Sequence, residues 1–368
     1  MERNLKKRWL LWILFFGLAL GLSACGSRLG ANSWPGVTVV DDTIYVAAGP
    51  AVDAFRLADG SLLWAFTGGD VRDFSAYAAP AFSPDRQMMV VGDYGGRLYA
   101  LDPHNGTLKW SFEGPQSHFV AAPLVTSQTI YAPNADGTLY ALDLQGNLRW
   151  TFQAGDPLWG TPVTDGQRLY VPSLGHALYA LNLDDGSVVW QVKLDGALAS
   201  QPTLVDGVLY VGTFANQVVA IAAEDGQKLW TAPASGWVWS APAYADGTLF
   251  VGDLGGQIMA LDAKTGQEKW RINQGGPVIG QPAVDDGAVY VTTENGVLIA
   301  LTTEGKPLWQ YNFDGKLYAA PVVAGENLLV APYKGVDFLV AMNTDGQRRW
   351  NLTTEAVESA LKTLQEQK

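Results

Sequence analysis

A tryptophan returns at nearly constant intervals through this chain of 368 residues. Trp64, Trp110, Trp150, Trp190, Trp230, Trp270, Trp309 and Trp350 are separated by 46, 40, 40, 40, 40, 39 and 41 residues. Four residues before each stands a glycine: Gly60, Gly106, Gly146, Gly186, Gly226, Gly266, Gly305 and Gly346. Nine or ten residues before each stands an alanine: Ala54, Ala100, Ala141, Ala180, Ala220, Ala260, Ala300 and Ala341. Three spacings kept through eight copies mark an internal repeat, and a repeat must be recognised before any domain count is made from length.

One unit, from Ala121 to Phe152, reads as four strands. A short apolar segment is followed by Thr129-Ile-Tyr-Ala132, then by Gly137 to Asp143, then by Leu148 to Phe152, with turn chemistry such as Asn134-Ala-Asp-Gly137 between them. No helical periodicity interrupts residues 34–350. Four strands per unit of about 40 residues predict an all-β fold, an eight-bladed β-propeller of four-stranded antiparallel blades over residues 34–352. The repeated Trp then has a structural task. On an outer strand its ring can cover the neighbouring blade and reach a backbone carbonyl with its indole N–H; Ala opposite leaves room for it, and Gly permits the turn.

The element Ala100-Leu-Asp-Pro-His-Asn-Gly106-Thr-Leu-Lys-Trp110, repeated almost fully as Ala260-Leu-Asp-Ala-Lys-Thr-Gly266-Gln-Glu-Lys-Trp270, resembles the tryptophan-docking repeat of pyrroloquinoline-quinone-type propellers. Other copies depart from it, as at Ala220-Ile-Ala222 and Ala300-Leu-Thr302. The resemblance covers residues 34–351 and speaks for fold more than for function. That superfamily includes quinone-dependent dehydrogenases, kinase sensor domains and lipoproteins that assist β-barrel insertion into the outer membrane. The layout here is similar to the last of these, since the dehydrogenases are usually longer and often carry a vicinal cysteine pair that this chain lacks.

The single Cys stands at position 25. Before it come the basic run Arg3 to Arg8, an uncharged stretch from Trp9 to Leu22, and Leu22-Ser-Ala-Cys25, the pattern of a secretory signal (residues 1–24) ending in a lipobox. The apolar run is shorter than the ~20 residues of a spanning helix. Cys25 is therefore expected to carry lipid, with residues 25–33 as a tether, so that the membrane is reached by the lipid anchor only. Gly26, not Asp, follows the Cys, which implies the outer membrane facing the periplasm in an organism that has one, and the outer face of the cell membrane otherwise. The net charge of −12 becomes −15 once four cations and one carboxylate leave with the signal. Such a chain repels nucleic acid.

Chemistry is sparse. His104, His118 and His176 fall in separate repeats without a second ligand at metal spacing, and no nucleophile elbow or phosphate loop occurs. No catalytic residue, metal or cofactor is expected. One pattern exceeds what the fold requires. Pro80, Pro123, Pro162, Pro202, Pro242, Pro282 and Pro321 open seven inner-strand segments, and three residues before them stand Tyr77, Val120, Trp159, Ala199, Trp239, Ile279 and Tyr318. Large and small residues alternate, which either closes the wide channel by packing or gathers Tyr77, Trp159, Trp239 and Tyr318 at one mouth. Phe119, Trp237 and Phe74 lie near these positions. The candidate partner-binding residues are Tyr77, Phe119, Trp159, Trp237, Trp239 and Tyr318, of the types that anchor interfaces.

Beyond Thr353, Val357, Ala360, Leu361 and Leu364 form one apolar helical stripe, so residues 353–368 are a short helix or tail. The ring closes either by eight complete units meeting or by a strand after Trp34 pairing near Trp350. The reading favoured is a non-catalytic scaffold binding protein partners, with barrel-assembly machinery as the partner the resemblance implies. The alternatives are a quinone-dependent dehydrogenase or its cofactor-binding relic, and an envelope sensor or adhesion lipoprotein.

Overall fold

The computed structural model describes residues 35–69, 74–115 and 117–366, all within the unit Ser33–Lys368. The signal (residues 1–24), Cys25, the tether and Trp34 lie outside the described residues.

Strands β1 (Gly36–Val40) to β32 (Arg348–Thr353) form eight four-stranded antiparallel sheets, each contiguous in sequence. Blade 1 holds residues 36–66, blade 2 81–113, blade 3 124–153, blade 4 163–193, blade 5 203–233, blade 6 243–273, blade 7 283–312 and blade 8 322–353. The chain is an eight-bladed β-propeller. First strands of successive blades lie against one another around the axis, and fourth strands form the rim. Middle strands such as Thr129–Pro133 are buried on both faces, whereas rim strands such as Leu148–Gln153 alternate exposed and half-buried positions. This is why the former read as unbroken apolar runs and the latter do not.

There is no central core. Eight hydrophobic clusters occupy the eight blade interfaces, each built from two neighbouring blades. The repeat residues organise them. In every blade the Ala pairs directly across the ladder from the Trp, as Ala220↔Trp230, and a bulge follows it. The indole N–H then donates to a carbonyl of the next blade: Trp64 to Pro103 at 3.0 Å, Trp190 to Ala223 at 3.1 Å, Trp230 to Ala263 at 3.0 Å. The Gly has a second role beyond its turn. Gly106 lies under the ring of Trp64, where a Cβ would stand 2.5 Å from Cε3, and the relation passes around the ring to Gly60 under Trp350. Only Gly satisfies both the left-handed backbone (φ 70° at Gly106) and this contact.

Blade 8 meets blade 1 in the same way: the Trp350 indole donates to Leu57 O at 3.1 Å. Each terminal sheet keeps its own four strands, so eight complete units meet and no strand is exchanged. Helix α1 (Thr354–Glu366) follows β32 directly. Thr353 Oγ1 accepts from Ala356 N at 3.2 Å as its cap. Buried Val357 and half-buried Leu361 join the cluster of this closing interface, so the apolar stripe docks on the seam.

Candidate protein-docking site

Antiparallel blades give the ring two unlike ends. Turns between first and second strands and between third and fourth strands share one end. It is strongly acidic, with Asp41 and Asp59 in blade 1, Asp85 in blade 2, Asp184 in blade 4, Asp225 in blade 5 and Asp286 in blade 7. Turns between second and third strands share the other end, the mouth, with the loops that join blades. At the mouth each joining loop bonds to the following blade's turn: Phe214 N to Ala197 O at 3.0 Å, Leu254 N to Trp237 O at 2.9 Å, Tyr94 N to Ser75 O at 2.8 Å. All the aromatic candidates derive from these mouth segments.

Two of the aromatic regions at the mouth, on blades 4 to 6 and on blades 7 and 8, differ in chemistry. Across blades 4 to 6, Trp159 and Trp239 meet with ring centroids 6.4 Å apart, and Ala199, between them in the series, is small and buried. Phe214 stacks on Trp237 (4.7 Å, 8°) and tilts against Trp239 (4.9 Å, 30°). Trp237 is 48% exposed. Its loop is held from below by fully buried Asp253, whose Oδ2 accepts from Ser235 N and Ser235 Oγ, both at 2.8 Å, and whose Oδ1 accepts from Gln257 N at 3.0 Å. The aromatic surface is thus rigidly supported. The indole N–H of Trp159 is buried without a hydrogen-bond partner.

Around blades 7 and 8 the rings are tyrosines that already hold cations. Tyr318 and Tyr333 pack together at 5.6 Å, with Lys316 Nζ 5.6 Å from the Tyr318 ring and Lys334 Nζ 5.1 Å from the Tyr333 ring. Glu294 Oε1 accepts from Lys316 at 2.5 Å and from Tyr318 Oη at 3.1 Å. Lys316 holds the Glu294 carboxyl below its usual range.

The six sequence candidates therefore separate. Trp159, Trp237 and Trp239 come together, joined by Phe214, which sequence reasoning missed. Tyr77 packs on Tyr94 (5.2 Å), which stacks on His118, and Tyr318 packs on Tyr333. Of the four alternate aromatics, Trp159 and Trp239 meet directly, while Tyr77 and Tyr318 each pack on a tyrosine of the following blade's turn. Phe119 is fully buried between blades 2 and 3, where Gly92 admits it against Val90 and Leu98, and Phe74 is buried between blades 1 and 2. Neither contributes surface; Phe119 holds the position of Val238, four residues before its Pro, which Gly212 admits to the core as Gly92 admits Phe119, and Trp237 stands one residue earlier. Aromatics on the second strands were also missed. Tyr170 and Tyr210 pack on their own blade's Trp at 5.8 Å, and the Tyr170 hydroxyl shares the Ala223 carbonyl with Trp190.

The family model described as outer membrane protein assembly factor BamB matches residues 48–158, 145–236, 233–304 and 280–366. The chain belongs to the BamB family. BamB from Moraxella catarrhalis superposes with a TM-score of 0.70 at 21% identity, covering 81% of this chain and 91% of that one. The computationally designed Ika8 protein superposes with a TM-score of 0.70 at 17% identity, covering 88% and 98%. At these identities the likeness is one of fold. No curated protein matches the chain.

The alternative of a quinone-dependent dehydrogenase calls for a cofactor cavity at the ring axis. A cavity of about 270 Å³ opens there at the mouth, lined by Val37, Tyr77, Ala79, Val120, Ala122 and Ala320 among others, with no charged side chain in its wall. Pyrroloquinoline quinone carries carboxylates that need cationic or metal partners, and this lining does not fit it. Among the described residues no group of three or more His, Cys, Asp or Glu is placed to hold a metal ion. No described helix is long and apolar enough to cross a membrane.

Proposed function

We propose that the chain is a non-catalytic scaffold, anchored by lipid on Cys25, that binds protein partners of the outer-membrane β-barrel assembly system through the mouth of blades 4 to 6. The observation that carries the reading is the half-exposed Trp237, stacked on Phe214 and backed by Trp239 and Trp159. Large apolar rings left on the surface of a rigid ring mark an interaction site, and Trp is the residue type most enriched among binding hot spots. Membership of the BamB family supports the assembly context. The signal and lipobox support anchoring at the extracytoplasmic side, with Gly26 directing the protein to the outer membrane. The exposed edges of the rim strands offer a second mode of contact by strand addition.

The test is a crosslinking pulldown from native envelopes, scored for barrel-assembly components. The full chain is expected to retain them, and Trp237→Ala to lose at least tenfold of the recovered partner. A folded Trp159→Ala, Trp239→Ala double variant that retains every partner, together with an unaffected Trp237→Ala, would eliminate the mouth as the docking surface. Intact mass of the mature protein tests lipid on Cys25.

A further inference from the structure

The aromatic regions of blades 4 to 6 and of blades 7 and 8 differ in one respect that points to a ligand. All the cation–π contacts among the described residues lie in blades 7 and 8: Lys316 over Tyr318, Lys334 over Tyr333, and Arg348 over Tyr311 and Phe313. There the protein fills its own rings. The loops that build the region of blades 4 to 6 are residues 154–161, 174–176, 194–201, 214–216, 234–241 and 254–256, and they contain no Lys or Arg. Lys193 stands one residue outside them. Arg271, the basic group bonded to Pro233 beside the Trp237 loop, is committed to Glu268, Gln257 and that carbonyl. The loops instead present two exposed carboxylates. Asp156 lies in the Trp159 loop. Asp195 adjoins Gly196, which packs on the backbone of Phe214 and Ala215.

Trp has the strongest quadrupole of the aromatic side chains and is the best partner for a cation. One face of Trp237 rests on Phe214 and nearly half its surface is open. Carboxylates on the two preceding mouth loops, with an open indole face on the third and no Lys or Arg in any of them, complement positive charges brought from outside. The face is open and not an enclosed cage, so the cation must be positioned by the molecule that carries it. We propose that blades 4 to 6 form a receptor for a basic, extended polypeptide segment, one Arg or Lys of which lies on Trp237 while further basic residues of the same segment face Asp195 and Asp156 on the two preceding loops. This deepens the function proposed above and rests on it for the location of the docking surface.

The probe is the peptide acetyl-(Val-Arg)4-amide, titrated against the full-length chain in detergent, with indole fluorescence and calorimetry as readouts. An otherwise identical peptide carrying citrulline, the neutral isostere of arginine, isolates the charge. The Arg peptide is expected to bind with an affinity that falls as salt rises. Citrulline, Trp237→Ala, and the Asp156→Asn, Asp195→Asn double variant are each expected to weaken it about fivefold or more. Thermal unfolding confirms that each variant is folded. Equal affinity for the Arg and citrulline peptides, or a double variant that binds as tightly as the parent, would overturn the cationic ligand. If Trp237→Ala at the same time still loses the envelope partner, the docking surface stands and only the basic segment falls. If envelope capture and peptide binding both ignore Trp237, both readings fall.

Discussion

Trp230 and Trp237 belong to the same stretch of chain and do opposite things. Trp230 lies across the ladder from Ala220, its ring rests on Gly266 of the next blade, and its N–H is bonded to Ala263. Trp237 sits in the loop that follows, bonded through its backbone and open through its ring. The difference teaches that an indole is a structural part where a neighbour supplies a floor without a Cβ and an acceptor, and a surface where neither is supplied. The same contrast holds between the ring interfaces as a set and the mouth.

Among single substitutions the largest effects are expected where the floor or the ring of an interface indole is changed. Trp230→Ala is expected to cost about 3 kcal/mol in thermal or denaturant unfolding. Gly266→Val, which forces a branched side chain onto φ 72° and against a ring 2.6 Å from its Cβ, is expected to cost at least as much. Because both changes destroy one contact, the double variant should fall well short of the sum. Strict additivity would break the account of Gly as the floor of the indole.

A second test concerns the seam where the ring closes. Asp53 shares its strand face with Phe55, directed toward blade 8, and is 2% exposed with Oδ1 unpaired. Burial pushes its carboxyl up to about 7, from 3.8. The folded chain therefore holds a proton that the unfolded chain releases. Stability from this group is greatest below pH 4, is lost as the pH rises toward 7, and is lower by about 4 kcal/mol above that. Asp53→Asn is expected to flatten this slope and to gain about 2 kcal/mol at pH 8. An unchanged pH profile would contradict it. A smaller effect, about 1 kcal/mol, is expected for Val357→Ala, which loosens α1 from the same seam and is read from the unfolding midpoint.

A comparably small effect on stability belongs to the mouth. Trp237→Ala should cost only about 1 kcal/mol in unfolding, the loss of its stack on Phe214, since its ring lies outside the blade-interface clusters, while binding is lost. A large destabilisation would move Trp237 into the class of Trp230.

The repeat was legible in the sequence because each copy spends the same three residues on the same interface. Gly as the floor under the preceding blade's Trp was not, because the two residues are 35 to 42 apart and only the ring brings them together. The meeting of Trp159 and Trp239 was half legible. Alternation with Ala199 announced a gap, but Phe214 comes from a turn that no spacing relative to Pro202 or Pro242 would single out. Phe119 was misread because Gly92, the residue that admits it to the core, belongs to the preceding blade.

The most direct measurement is site-specific photocrosslinking in native envelopes, with the photoreactive residue at position 237 and, in a parallel chain, at position 230. The account predicts a discrete adduct with a barrel-assembly protein from 237 and only intramolecular products from 230. Absence of any intermolecular adduct at 237, or the same adducts from both positions, would contradict it.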